Sequence, residues 1–311
     1  MSVSSTINLM NVVWAWSPIG YETYLSIKKD NPNTYLITAR NFSPPESIST
    51  IYPHNYFTNT HSQIDSNLFS IQKLLDLADD DTGFIFYAPQ SASFYLRLLI
   101  ESHKCKGYVI YDEGSAAYDP HFNVRLNSIW SQHTVRNEKS LINFCVINRI
   151  DKSKIDELYK KGTSFYDFTH PKFIELTSYF KSAFPAHHKI GLSITQPEII
   201  NHGDVCLILM PPLSSLRKNK QILLQYLLDC KQVLSNSPST FFIVKGHPVD
   251  SNLVIDKVQK LFDLPNLMNY SEYCIINNLN HFRETAFMNF PIYITNDNST
   301  KLYLEHLSQI F

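Results

Sequence analysis

Glycine is scarce in this chain, with eight residues in 311. The eight form no local cluster, so a Gly-rich dinucleotide fingerprint or a Walker-type phosphate loop has nothing to be built from. A basic excess is missing too: 27 Lys and Arg stand against 28 Asp and Glu, a formal net charge of -1. Nucleic-acid binders carry a basic excess or stripe, so no nucleic-acid partner is expected. The densest basic cluster, Arg217, Lys218 and Lys220, reads as a solvated loop or helix face. Long apolar runs are absent. The most apolar stretches, 206–213 and 241–244, fall far short of the roughly 18 residues that a membrane span needs. Residues 1–16 lack the cationic start and long apolar run of a secretory signal, so a cytoplasmic protein is expected. The five cysteines (Cys105, Cys145, Cys206, Cys230 and Cys274) are odd in number, and no pair has metal-ligand spacing. Buried free thiols in a reducing compartment are the expectation.

What is present is a globular composition, 44% hydrophobic and 18% charged, on a chain long enough for two domains. Strand-like and helix-like segments alternate. The first half reads as strand 11–16, helix 21–29, strand 34–38, loops and short pieces over 41–66, helix 68–78, strand 83–88, helix 91–102 and strand 108–111. The stretch 141–147 reads as a strand and 152–161 as a helix, and 163–197 as irregular and Pro-punctuated. The alternation then resumes with strand 205–210, helix 220–234, strand 241–244, helix 253–262 and strand 292–295. This pattern predicts an α/β protein with mainly parallel sheets in two domains, 1–197 and 198–311.

In open α/β sheets ligands bind beyond the carboxyl ends of the strands. Two strands run straight into polar, Gly-containing turns at such ends: Asp112-Glu113-Gly114 and Lys245-Gly246-His247-Pro248. A carboxylate after the first strand suits a general base that takes a proton from a sugar hydroxyl, and the alternative is an ordinary strand-end turn. His247 suits a donor to a phosphate oxygen of a departing nucleotide, with Lys245 adding charge. Its alternative is a turn histidine satisfied by backbone groups. Ser299-Thr300 precedes a predicted helix, where hydroxyls and free N–H groups form a phosphate site or a simple cap. Trp14 and Trp16 are candidates for stacking on a sugar or for the core. A second His-Pro pair, His170-Pro171, follows no clear strand and is expected to be structural. His187-His188 reads as a surface pair, since no further ligands stand at zinc-site spacing.

Taken in order, Tyr111-Asp112-Glu113-Gly114-Ser115, Lys245-Gly246-His247-Pro248 and Ser299-Thr300 resemble the motif set of bacterial sialyltransferases of glycosyltransferase families 52, 80 and 38. The likeness is strongest to family 80, whose members read Tyr-Asp-Asp-Gly-Ser and Lys-Gly-His-Pro at these points. The resemblance implies a GT-B fold, two Rossmann-like domains facing across a cleft, with the acceptor on the first and CMP on the second. It implies that Glu113 is the general base with Asp112 in support, and that His247 assists departure of the CMP phosphate. It also implies that Lys245, Gly246, His247, Pro248, Ser299 and Thr300 line the donor site, with Glu272 corresponding to the carboxylate that holds the ribose hydroxyls. Val249 stands where relatives carry an acceptor-contacting basic residue, so the acceptor's identity stays open.

The resemblance thus implies an inverting sialyltransferase. The donor is CMP-sialic acid and no metal or other cofactor is required. The acceptor is an oligosaccharide or lipid-linked glycan with a galactoside-type hydroxyl, in lipopolysaccharide, O-antigen or capsule biosynthesis. The expected place of action is the inner face of the plasma membrane, which leaves room for peripheral membrane contact. The alternatives are the same architecture with another donor (CMP-Kdo, another nonulosonic acid or a UDP-sugar) and an inactive glycan-binding protein.

Overall fold

A computed structural model describes residues 9–39, 42–51, 61–111, 125–126, 139–178, 184–192, 204–211, 213–246, 255–279, 290, 292–296, 301 and 305. The chain divides into two compact units, Met1–Ile194 and Thr195–Phe311.

The first unit begins with β1 (Met10–Ala15), α1 (Pro18–Asp30), β2 (Thr34–Ala39) and β3 (Ser47–Ile51). It continues with α2 (His61–Leu77), β4 (Phe84–Ala88), α3 (Phe94–Glu101) and β5 (Cys105–Tyr111). Next come β6 (Arg125–Leu126), α4 (Lys139–Ile147), α5 (Lys152–Lys161), β7 (Thr163–Ser164), β8 (Phe173–Ser178) and β9 (His188–Ile190). Seven of these strands form one sheet in the order β3-β2-β1-β4-β5-β8-β9, and every pair is parallel. The short β6 and β7 pair antiparallel, apart from it.

All six residues of β1 are buried, as a central parallel strand covered on both faces requires. Trp14 and Val12 join α2, α3 and α4 in one large core with Phe86, Ile110 and Leu141. The alternate residues of β1 turn toward α1, where Ala15 lies against Gly20. Ser17 caps α1 by accepting from the Gly20 N–H at 3.4 Å, and Pro18 occupies the first turn, where its missing N–H costs nothing.

The second unit contains β10 (Val205–Leu209), α6 (Leu213–Lys218), α7 (Lys220–Asn236) and β11 (Phe241–Lys245). It ends with α8 (Ile255–Phe262), β12 (Leu267–Asn269), α9 (Tyr270–Ile276) and β13 (Ile292–Ile294). Its sheet runs β12-β11-β10-β13, again wholly parallel. Tyr226 and Cys230 of α7 and Val258 and Phe262 of α8 pack on Cys206, Ile208, Phe242 and Val244 of the sheet. In chain order the four strands stand as third, second, first, fourth. The first unit has the same arrangement around β1. The strand order therefore reverses between β1 and β4 in one unit and between β10 and β13 in the other, the Rossmann-like switch points at which crevices open.

Two segments depart from the sequence reading. Residues 141–147, expected as a strand, form α4. Its buried residues, Leu141, Phe144 and Cys145, follow the helical spacing i, i+3, i+4, while Ile142, Val146 and Ile147 are exposed. The stretch expected to be irregular, 163–197, supplies β8 and β9 to the large sheet. Among the described residues no helix is long and apolar enough to cross a membrane.

Candidate functional site

The second unit gathers most of the described candidate residues at one edge of its sheet. β10 and β11 pair in register to Leu209 opposite Lys245, and the Met210 N–H extends the ladder by donating to the Lys245 carbonyl at 3.0 Å. Lys245 and Gly246 therefore stand at the carboxyl edge, and the chain passes from them directly into His247 and Pro248. β12 leads without a loop into α9, whose start is capped by Asn269 accepting from the Ser271 N–H at 2.8 Å. Glu272 is exposed on the first turn of this helix, at the same edge. β12 and β13 are three inter-strand spacings apart, roughly 14 Å, so this edge offers groups on both sides of the β10–β13 crevice. His247, Pro248, Ser299 and Thr300 lie outside the described residues, as do Asp112 and Glu113 of the first unit.

The crevice has a side chain at its root. Tyr226 of α7 is 1% exposed, with its ring packed edge-on against Phe262. Its hydroxyl lies 2.7 Å from the Leu209 carbonyl and 3.0 Å from Asn296 Oδ1, and accepts from the Asn296 N–H at 3.1 Å. Ile208 and Ile294 are the last paired residues of β10 and β13. Beyond them the strands part, and the hydroxyl bridges the gap. Asn296 is exposed, and Lys301 and Glu305, a few residues on, are helical. Sequence inspection singles out neither residue, because a tyrosine on the apolar face of an amphipathic helix carries no mark of what its hydroxyl reaches.

The first unit uses a tyrosine in a similar place. Tyr111 is the last residue of β5 and leads into Asp112-Glu113-Gly114. Its hydroxyl donates to the Trp14 carbonyl at 2.6 Å, near the end of β1. The bond passes beneath α1 at Gly20, where an added Cβ would lie 2.5 Å from the Tyr111 hydroxyl and 2.8 Å from the Ala15 Cβ. The bare Gly20 is what leaves the hydroxyl its place. The point at which the chain departs for the two carboxylates is thereby tied to the central strand.

Trp14 and Trp16 are 1% and 8% exposed within the main core, so they are packing residues and not a sugar platform. His170 belongs to a polar network at the other end of the sheet. Its Nδ1 accepts from the Lys172 N–H at 3.1 Å, which puts the ring proton on Nε2, 3.2 Å from Glu101 Oε1. Arg97 donates from Nε to Glu101 at 2.8 Å and from Nη1 to Asp167 at 2.9 Å. Glu101 ends α3 just before β5 begins, and His170 lies just before β8, so the pair sits at the amino edge of the first sheet, opposite the carboxyl ends of its strands. His187 is exposed and stacks on Phe168 with ring centroids 4.4 Å apart.

Burial opposes ionisation of Glu101, and the hydrogen bond from His170 with the charge of Arg97 more than offsets it, holding the carboxyl at about 2. Because the folded value is depressed from 4.5, the stabilisation is complete above about pH 4.5 and is lost as pH falls toward 2. Glu101→Gln should cost about 3 kcal/mol at neutral pH by leaving Arg97 with one carboxylate fewer. It should also flatten the acid limb of the stability curve, measured by urea unfolding from pH 7 to 3. An unchanged acid limb would remove Glu101 from that role.

All five cysteines are free and buried. Burial pushes the thiols of Cys105, Cys206 and Cys230 up to about 12 and those of Cys145 and Cys274 up to about 11, so none of them is a nucleophile at neutral pH. Among the described residues no group of three or more His, Cys, Asp or Glu is arranged to hold a metal ion. Neither a family model nor a curated protein sequence matches the chain.

Proposed function

We propose that the chain is an inverting glycosyltransferase of GT-B architecture that transfers sialic acid from CMP-sialic acid to a galactoside-type hydroxyl of a bacterial surface glycan. The observation that carries this reading is where the three motifs leave the described framework. The acidic motif follows Tyr111 at the carboxyl end of β5. The His-Pro motif follows Lys245 and Gly246 at the end of β11. The Ser-Thr pair comes three residues after Asn296 in sequence, and Asn296 lies just beyond β13 at the switch point. A strand-end exit is where α/β proteins keep their chemistry, and the order of the three motifs along the chain is what supports this reading over ordinary polar turns.

In the proposed reaction Glu113 removes the proton of the acceptor hydroxyl as its oxygen attacks the anomeric carbon. The bond from that carbon to the phosphate oxygen breaks on the opposite face, which inverts the centre. His247 and Lys245 meet the charge that develops on the departing phosphate, while Ser299, Thr300 and Gly246 hold it and Glu272 takes the ribose hydroxyls. Asp112 supports the base. CMP carries a single phosphate, and neutral donors with one histidine suffice to stabilise its departure, so the reaction needs no metal clamp. The acceptor is an oligosaccharide or lipid-linked glycan, met in the cytoplasm at the inner membrane face.

The test is incubation with CMP-sialic acid and a panel of galactosides in EDTA, with products read by mass spectrometry. Sialylated product is expected at the same rate as without chelator. Loss of transfer on chelation, restored by Mg²⁺ or Mn²⁺, would overturn the mechanism. Intact CMP-sialic acid alongside turnover of CMP-Kdo, another nonulosonic acid donor or a UDP-sugar would keep the architecture and change the donor.

A further inference from the structure

We infer that the outward face of α7, with the basic cluster at its start, is a docking surface for an anionic phospholipid bilayer. This surface belongs to the second unit alone and depends neither on the donor nor on the transfer reaction. Tyr226 and Cys230 turn one side of α7 to the sheet. The opposite side carries Lys220, Leu224, Leu228 and Lys231, spaced by four, four and three residues, which places them within about 80° of arc on the helix. The leucines are 55% and 51% exposed, and both lysines are exposed. Two apolar tips thus stand outward with a cation beyond each end. Arg217 and Lys218, the last residues of α6, are exposed just before the helix. From Leu213 to Asn236 the chain carries four cationic residues and one acidic residue, Asp229. Asp229 lies off the stripe and accepts from Gln225 Nε2 at 2.7 Å. Among the described residues none of the four cations pairs with a carboxylate. The neighbouring α8, whose Phe262 meets Tyr226, adds Lys257 and Lys260 against Asp256. On a chain with a formal net charge of -1, this is a local positive field.

The chemistry selects one occupant. A second copy of the stripe would set lysine against lysine, whether the helices ran parallel or antiparallel, because a cation stands at both ends. Two half-exposed leucines are also far less than the roughly 800 Å² that a specific protein partner covers on each side. An anionic bilayer meets both features at once. Leucine tips enter the headgroup boundary, and the lysine stems lie along them with their ammonium groups at the level of the phosphates. Each cation so placed strengthens binding about 5-fold.

The test is co-sedimentation with vesicles of phosphatidylcholine, alone or mixed in equal parts with phosphatidylglycerol, without nucleotide. The chain should bind the mixed vesicles and not the neutral ones. Salt raised from about 0.1 to 1 M should release it, since the screening length falls from about 10 to 3 Å. Arg217→Gln with Lys220→Gln should weaken binding about 25-fold. Leu224→Gln with Leu228→Gln should weaken it about 10-fold. Glutamine has a helix propensity close to that of leucine, and every changed residue is exposed, so melting temperatures should match the wild type. Leu77→Gln is the control. That leucine is 54% exposed, but it follows Asp76 and precedes Asp79-Asp80-Asp81, so its loss should change nothing. Equal binding to both vesicles, binding to neither, or binding that survives both double variants overturns the inference. An equal loss in Leu77→Gln does the same. A dimer that Leu224→Gln with Leu228→Gln dissolves would assign the stripe to a second copy and overturn it too. Transfer to a soluble galactoside is scored separately. A chain that sialylates it but ignores the vesicles keeps the proposed function and loses this surface. A chain that binds the mixed vesicles and transfers nothing keeps the surface and loses that function.

Discussion

Glu113→Gln should leave CMP binding intact and cut transfer by about 10²- to 10⁴-fold, the usual worth of general-base assistance. The amide keeps the shape and hydrogen-bonding reach of the carboxylate but cannot take the acceptor proton, so the loss should appear in kcat at saturating donor. The framework beneath this residue makes the experiment interpretable. The end of β5 is held by Tyr111 to the Trp14 carbonyl, so a change two residues later should not loosen the sheet. Asp112→Asn should do less to the chemistry and more to stability. If Asp112→Asn abolishes transfer with donor affinity unchanged while Glu113→Gln stays active, the two carboxylates exchange roles. The measurement is steady-state transfer alongside CMP titration for both variants.

His247→Ala should act on the other partner. Loss of one donor aimed at the leaving phosphate is expected to cost about 10²- to 10³-fold in rate. Unlike the Glu113 substitution, it should also weaken CMP, because the same donor meets the phosphate before and during its departure. His170→Ala is the discriminating comparison. His170 bonds to Glu101 at the amino edge of the first sheet, so its removal should lower stability and spare the rate per folded molecule. An equal catalytic defect in His170→Ala would transfer the role to that His-Pro pair. Activity that survives both Glu113→Gln and His247→Ala would refute the proposed mechanism.

The central strands were legible because burial on both faces leaves a near-continuous apolar run, as at Val12, Val13 and Trp14 or at Cys206, Leu207 and Ile208. The long α7 was legible from its periodicity. Short elements failed where length and period conflict. Leu141 to Ile147 is as apolar as a buried strand, and what separates it from one is a tertiary fact: the side on which α2 lies. β8 carries Glu175 and two hydroxyl residues and is flanked by His170-Pro171, so nothing local marks it as the sixth strand of a parallel sheet. β12 and α9 adjoin with no loop, and the sequence reading passed over both.

The candidate site divides along the same line. Chemistry-bearing residues at strand ends can be read from the chain. The groups that aim those ends cannot, because the Tyr111 bond spans 97 residues and the Tyr226 bond to Asn296 spans 70. Gly20 is the instructive case: its role as a gap for the Tyr111 hydroxyl belongs to packing and has no sequence signature.

The strand order of the first sheet also sets a timetable for synthesis. Of the strands of this sheet β1 is synthesised before the others, and it ends up in the interior, between β2 and β4. β2 follows closely, but β4 ends only at Ala88, 73 residues after Ala15. At about 5–20 residues per second, one edge of a strand whose six residues are all buried in the folded chain waits roughly 4–15 s for its partner. β9, the last strand of that sheet, ends at Ile190, before β10 opens the second sheet at Val205. The nascent chain can thus complete one sheet before it begins the other, and the two need never compete for strands.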